Sequence, residues 1–295
     1  MSLFGILNVN KPHGLTSRDV VDRVERLVRP AKAGHAGTLD PLATGVLVVC
    51  VGQATRLIQH VQRMPKTYHA TFLLGRSSET DDVEGDIVLV DDAPEPTRDS
   101  VESVLPQFRG AIQQRPPAHS AINVAGRRAY ALARRGVAVD LPPRPVRIYS
   151  LEVRRYEYPE LELDIDCGSG TYVRSLGRDI GAALGTAAVM SKLERTAIGT
   201  LRVEDSISPD NLTLEKVVHH LQPAITAVGD LPRVALSQAQ LLEIRNGRPI
   251  LTSWLTTDLP PLHGSELSAV DASGNLAALL YEKSPGELWP AHNFK

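Results

Sequence analysis

The stretch best suited to chemistry is Gly34-His35-Ala36-Gly37-Thr38-Leu39-Asp40-Pro41-Leu42-Ala43-Thr44-Gly45. Its glycines let the backbone approach a partner closely, and Pro41 stiffens the turn just after the carboxylate. The apolar run that follows, Val46 to Val51, reads as a buried strand. A carboxylate on a rigid loop at a strand edge is a candidate chemical centre, able to attack an electrophile or take a proton. The same composition also suits an Asx-type turn in which Asp40 only caps its own backbone. A metal site built from His35, Asp40 and His60 lacks ligand spacing.

The elements around the loop follow from periodicity. Phe4 to Asn10 reads as a strand ending in the turn Lys11-Pro12-His13-Gly14. Thr16 with Asp19 makes a capping box, and Val20, Val21, Val24 and Leu27 form the apolar face of the helix it opens. Arg23, Arg26 and Arg29 lie on the other face, and Pro30 stops the helix. Gln53 to Gln62 reads as a short helix, and Lys66 to Gly75 as a strand with Tyr68, Ala70, Phe72 and Leu74 on one side. Asp86 to Val90 reads as a strand and Thr97 to Phe108 as a helix. Residues 113–143 look like an excursion from a sheet, helical from Arg127 to Arg135 and closed by Gly136. Strands over about 146–157 and 160–167 form a hairpin around Pro159. A helix from Thr171 to Leu184 closes on Gly185, and Met190 to Leu201 holds a turn and a strand. Thr213 to Leu221 is a short helix. Beyond Gly229 short apolar runs broken by Gly and Pro predict a small, mostly β domain, with helical signal at 238–246. The expected organisation is a larger domain over 1–228 and a small one over 229–295.

Composition sets bounds. The 295 residues are 42% hydrophobic and 22% charged, with a net charge of −2. No apolar run is long enough for a membrane span, and the N-terminus lacks the pattern of a signal peptide. Cys50 and Cys167 sit in strand-like apolar runs, as in a reducing compartment. Charge is unevenly spread. Residues 79–102 carry ten acids and one arginine, whereas 109–155 carry ten arginines and two acids. Such a cationic segment can neutralise phosphates and steer an RNA. It can equally be a solvated loop paired with the acidic segment.

The loop GHAGTLDPLATGVL closely resembles the catalytic loop of the TruB family of tRNA pseudouridine synthases. Further matching blocks follow in order: Asn8 to Ser17; Lys66-Thr67-Tyr68 through Gly75 to Asp82 and Gly85; Arg115-Pro116-Pro117 through Gly126-Arg127-Arg128-Ala129-Tyr130 to Gly136; and Cys167-Gly168-Ser169-Gly170-Thr171-Tyr172-Val173-Arg174 to Gly185. The resemblance implies an α+β pseudouridine synthase fold: a mixed, mainly antiparallel sheet with flanking helices and a central cleft. Residues 229–295 resemble only loosely the family's small PUA-like C-terminal module. The implied reaction exchanges an N-glycosidic for a C-glycosidic bond in the T-loop uridine at tRNA position 55. No atom is gained or lost, so no cofactor, metal or redox partner is implied. The implied enzyme is cytoplasmic and monomeric, and works on tRNA without membrane, guide RNA or protein partner.

By the same resemblance Asp40 is the catalytic aspartate, Arg174 its paired arginine, and Tyr68 the active-site tyrosine that stacks on the uracil or relays the C5 proton. Tyr172 lines the pocket and Leu193 packs near the base. His35 stacks in the gap left by the everted base. Lys11 lies near the loop in a backbone-supporting or phosphate role. Arg127, Arg128 and Arg134 belong to an insertion that grips tRNA. The sequence departs from the family pattern at His119, where tyrosine is usual, at Asn123, where lysine is usual, and at Glu194, where arginine is usual.

Overall fold

The computed structural model of the chain describes residues 3–119, 123–124, 127–128, 141–255, 259–261, 264 and 266–294. Ten strands make one mixed sheet. In chain order they are β1 (Gly5–Lys11), β2 (Ala33–His35), β3 (Thr44–Val51), β4 (Lys66–Leu74), β5 (Gly110–Gln114), β6 (Arg144–Glu157), β7 (Glu160–Cys167), β8 (Ala188–Ile198), β9 (Leu201–Arg202) and β10 (Gln222–Pro223). The spatial order is β10-β1-β3-β8-β4-β7-β6-β5, with β2 on β3 and β9 on β8. All of these pairings are antiparallel except β3–β8, which is parallel.

The β3–β8 seam lies in the interior of the sheet and is short, pairing Thr44 with Glu194 and Gly45 with Arg195. Gly45 has a φ of +96°. A Cβ there would lie 2.2 Å from the Arg195 carbonyl oxygen, so the close approach of the two strands requires glycine.

Helices α1 (Ser17–Val28), α2 (Ile58–Arg63), α3 (Arg98–Val104) and α4 (Val173–Ala183) flank the sheet. The capping box of Thr16 and Asp19 opens α1 as its sequence predicts. Val20, Val21, Val24 and Val28 of α1 pack on Leu7, Val9, Leu47, Val49 and Val51, one face of β1 and β3. The other face, with Ile6, Val46, Val48 and Cys50, is covered by Ala54, Leu57 and Val61 and by Leu276, Leu279 and Phe294 from the C-terminal region. Burial on both faces explains why Val46 to Val51 is continuously apolar. On the far half of the sheet α4 seats on β4. A Cβ at Gly177 would lie 2.1 Å from the Phe72 ring, and one at Gly181 2.7 Å from the Ala187 backbone. These two glycines, one turn apart, let the helix backbone rest on the strands.

Five more strands, Arg233–Ala235, Ile250–Leu251, Glu266–Val270, Leu276–Ser284 and Glu287–Asn293, form a second sheet beside the helix Gln238–Arg245. Val234, Ile244, Leu267, Leu280 and Leu288 make its core. It is the small β module expected, and it docks through stacked Phe4 and Phe294 rings, 5.2 Å between centroids.

Some local expectations need correction. Residues Ala33–His35 form strand β2 inside what reads as loop, because pairing with β3 satisfies their backbone. The helix expected from Arg127 does not begin there: Arg127 and Arg128 are strand residues paired with Val124 and Asn123. The Gly126 between them is a hairpin signal that competes with the helical pattern; residues 129–140 lie outside the described set. The strand and turn expected at Met190–Leu201 are present as β8, which begins earlier at Ala188, and a turn at 199–200 that leads into β9. The strand expected at Asp86–Val90 is reduced to Val88–Leu89. The excursion leaves from β5 and returns on β6, where Gln114 pairs with Arg144, so both of its ends meet at one sheet edge. No helix among the described residues is long and apolar enough to cross a membrane.

Candidate active site

The loop carrying Asp40 is clamped on both sides of the aspartate. Ser17 Oγ donates to the Leu39 carbonyl and accepts from the Leu39 amide, at 3.0 and 2.8 Å. The Pro41 carbonyl accepts from the Gly14 amide at 2.8 Å and from Lys11 Nζ at 3.4 Å. Lys11 is fully buried, and its Nζ also donates to the carbonyls of Pro12 and Leu15. Of the two roles open to Lys11, the geometry supports the backbone one. The stretch Lys11 to Ser17 therefore fixes where the Asp40 carboxylate can point.

That carboxylate meets Arg174 at the start of α4. Arg174 Nη2 lies 3.1 Å from Asp40 Oδ2, and Nη1 lies 3.1 Å from Asp82 Oδ2. Nη1 also donates to the Thr80 carbonyl at 2.8 Å and Nη2 to the His119 carbonyl at 3.2 Å. Asp82 is almost wholly buried, and its other oxygen accepts from Thr80 Oγ1 and the Glu84 amide. The guanidinium is thus held from behind by Asp82 and presents its free edge to Asp40. Asp40 is the most open of the three, its side chain 38% exposed against 9% for Arg174 and 2% for Asp82. A carboxylate so paired is aimed while facing the cleft.

The cleft is a cavity of about 890 Å³ whose walls include Asp40, Tyr68, Tyr172, Arg174 and Leu193. Tyr68 is buried on β4, and burial pushes its phenol pKa up, opposed by a hydrogen bond and the charge of Arg195. Tyr172 caps α4; Gln114 holds both its backbone amide and its carbonyl, at 2.8 and 3.0 Å. Arg144 Nη2 donates to its hydroxyl at 3.0 Å. Lys66 and Arg195 line the same cavity.

Five of the candidates therefore converge on one cavity: Asp40, Tyr68, Arg174, Tyr172 and Leu193. His35 does not line it. It lies on β2 opposite Val49, and burial lowers its imidazole pKa, assisted by the charges of Arg195 and Arg18. Arg127 and Arg128 are placed as a two-residue strand, and Arg134 lies outside the described residues. His119 lines the cavity, with its carbonyl on Arg174. Asn123 lies in the short hairpin. Glu194 faces a separate groove of about 620 Å³, which meets the Asp40 cavity across Leu193. Sequence reasoning missed Asp82, Lys66 and Arg195 as site residues. Their signal was charge at inward positions of strands and turns: Lys66 stands two before Tyr68, and Arg195 two after Leu193.

Residues 25–173 match the family described as TruB family pseudouridylate synthase (N terminal domain). A Dehalococcoides mccartyi protein named tRNA pseudouridine synthase B is 38% identical over 294 residues, covering 98% of this chain and 96% of that one. The chain belongs to the TruB family. A Rhodopirellula baltica tRNA pseudouridine synthase B is 41% identical over 261 residues, 83% of this chain and 75% of its own length. Among solved structures, one described as a Cbf5-Nop10-Gar1 complex contains a chain that matches with a TM-score of 0.74 at 27% identity, covering 99% of this chain and 84% of that one. A second, an H/ACA RNP bound to a substrate RNA containing 2′-deoxyuridine, matches with a TM-score of 0.74 at 25% identity, covering 98% and 84%. As a TruB-family pseudouridylate synthase the protein is an isomerase, and its fold is the pseudouridine synthase fold.

Proposed function

We propose that this TruB-family enzyme converts the uridine at position 55 in the T loop of tRNA to pseudouridine. The observation that carries the reading is the Asp40 carboxylate, braced through Arg174 on buried Asp82, at the edge of a cavity that also holds Tyr68. The target base is turned out of its loop at a cost of a few kcal/mol and enters that cavity. Asp40 acts at the sugar–base junction, by attack on the ring, by attack on ribose C1′, or by taking a sugar proton. Arg174 pairs with it and aims it. Tyr68 stacks on the base and takes or relays the C5 proton. Tyr172 and Leu193 complete the walls, and His35 fills the place of the everted base. Arg127, Arg128 and Arg134 grip phosphates of the tRNA, which gives position rather than sequence choice. The catalytic unit spans 1–228, with 229–295 an accessory module.

The enzyme acts as a cytoplasmic monomer without guide RNA. Relatives named tRNA pseudouridine synthase B align along nearly the whole chain at 38% identity, above the 27% of the Cbf5 chain that assembles with Nop10 and Gar1. The test is incubation of the pure protein with unmodified tRNA transcript, followed by mapping of pseudouridine. Modification at position 55 alone is expected. Modification only when a guide RNA or protein is added would overturn the stand-alone reading, and none under any condition would overturn the assignment.

A further inference from the structure

Besides Arg174, which is paired with Asp40 and Asp82, three cations are buried near the Asp40 loop: Lys11, Lys66 and Arg195. Lys11 is accounted for by its three carbonyl partners and the nearby Asp40 charge. The other two are not. Lys66 is 7% exposed and Arg195 2%. Lys66 Nζ donates to the carbonyls of Gln62 and Met64. Arg195 donates from Nε to the Val46 carbonyl at 2.7 Å and from Nη2 to the Gly37 carbonyl at 3.1 Å. None of these acceptors carries a charge, and among the described residues neither cation is ion-paired to a carboxylate within 4.0 Å. The main electrostatic neighbours of Lys66 are Arg195 itself and the Cys167 thiol. Two like charges that act on each other, offset only by peptide dipoles and, at Arg195, by the Tyr68 hydroxyl, raise the free energy of the empty site. Both border the cavity that holds Asp40 and Tyr68.

Glycosidic exchange brings negative charge to that place. When the C1′–N1 bond breaks, its electron pair passes to the pyrimidine and spreads over N1, O2 and O4. Attack of a carboxylate on the ring charges the ring as well. C5 then bonds to C1′, any bond from Asp40 to the sugar or ring breaks to regenerate the carboxylate, any sugar proton it took is returned, the C5 hydrogen leaves as a proton, and N1 takes one up. Electrons balance with no oxidant or reductant, and the ring is anionic only between these steps.

We propose that Lys66 and Arg195 form an electrostatic sink for the uracil ring, matched in charge only while the base is an anion. This rests on reading the enzyme as a uridine isomerase. A phosphate would satisfy the same cations, but they share their wall with Tyr68 and Leu193, side chains suited to a base. Fixed charges in a site closed to water act on the transition state more than on the neutral substrate. The sink serves all three routes open to Asp40, because each charges the ring.

The experiment compares Lys66→Met and Lys66→Arg with wild type in single-turnover conversion of tRNA, with tRNA Kd and Tm measured on the same samples. Lys66→Met is expected to slow conversion about 10²-fold with Kd unchanged and Tm equal or higher, since a repelling charge is gone. Lys66→Arg is expected to recover most of the rate. The wild-type rate should also fall above about pH 8, where Lys66, facing Arg195, Tyr68 and the Cys167 thiol, loses its proton. Lys66→Arg should hold its rate there. A Lys66→Met enzyme at the wild-type rate overturns the proposal. So does a weaker Kd with a smaller salt slope, which would mark a phosphate contact, or a rate loss that follows Tm in both variants. Failure of the wild type itself to make pseudouridine would instead sink the assignment of activity, so the two failures are distinct. Arg195→Lys, which keeps the charge, is expected to retain more rate than Arg195→Met at equal Tm.

Discussion

Asp82→Asn tests the brace behind the active-site arginine. Asp82 is 2% exposed and lies 3.1 Å from Arg174 Nη1. The amide keeps the carboxylate's shape and leaves an acceptor for Thr80 Oγ1 or the Glu84 amide, but it removes one of the two negative charges on the guanidinium. Removing one partner of a buried pair costs about 3–5 kcal/mol. The isosteric change and the remaining Asp40 charge place this variant at the low end, about 3 kcal/mol. At about 2–4 °C per kcal/mol for a domain of this size, Tm should fall by roughly 6–12 °C. With its rear anchor gone Arg174 can swing toward Asp40 and re-aim the carboxylate, and a misplacement of about 1 Å costs on the order of 10²-fold in rate. The assays are thermal unfolding and single-turnover tritium release from tRNA labelled at uridine C5. An unchanged Tm with a wild-type rate would refute the argument that Asp82 holds Arg174.

Gly177→Ala should drive a methyl into the Phe72 ring, which lies 2.1 Å from the ideal Cβ position, and cost about 1–3 kcal/mol. Because α4 carries Arg174, turnover should fall too, and Phe72→Leu should restore both in the double variant, read by Tm and rate. Lys11 and Lys66 have folded pKa values lowered to about 8 from 10.5, chiefly by burial. Between about pH 8 and 9 the unfolded chain therefore binds more protons, and stability should rise with pH by roughly 1 kcal/mol per lysine. From about pH 8 upward the unfolded thiols ionise, so Cys50 and Cys167, pushed up to about 12 and about 11 by burial, oppose part of the rise and outweigh it at higher pH. Denaturant unfolding at pH 8 and 9 checks the sign, and a fall over that interval contradicts it. Replacing Arg127, Arg128 and Arg134 together by alanine should weaken tRNA binding and reduce the slope of log Kd against log salt by up to about 3; an unchanged slope would remove these residues from the interface.

Much of the scaffold is legible in local pattern. The Thr16–Asp19 box, the inward set Tyr68, Ala70, Phe72 and Leu74, and the hairpin about Pro159 each depend on residues near in sequence, and each is realised. The placement of Asp40 in a built loop is legible in its glycines and proline. What pattern alone could not supply is which charge meets which. Arg174 finds Asp82 and Asp40 only because α4, the turn at 80–84 and the loop before β3 converge, a product of strand order rather than of spacing. Lys66 and Arg195 sit in strands whose apolar neighbours set the pattern, so their burial becomes visible only when β4 pairs with β8. At Arg127 a run of good helix formers outweighed a single glycine, and the local hairpin prevailed.

The central claim is that one braced carboxylate performs the glycosidic exchange. Its most direct test is single-turnover conversion of tRNA by Asp40→Asn beside its tRNA Kd. Asparagine keeps the shape of the side chain but carries no negative charge and is a far poorer nucleophile and base. The account predicts no detectable pseudouridine at position 55 with Kd close to wild type. Turnover near the wild-type rate, or binding lost in parallel with activity, would contradict it.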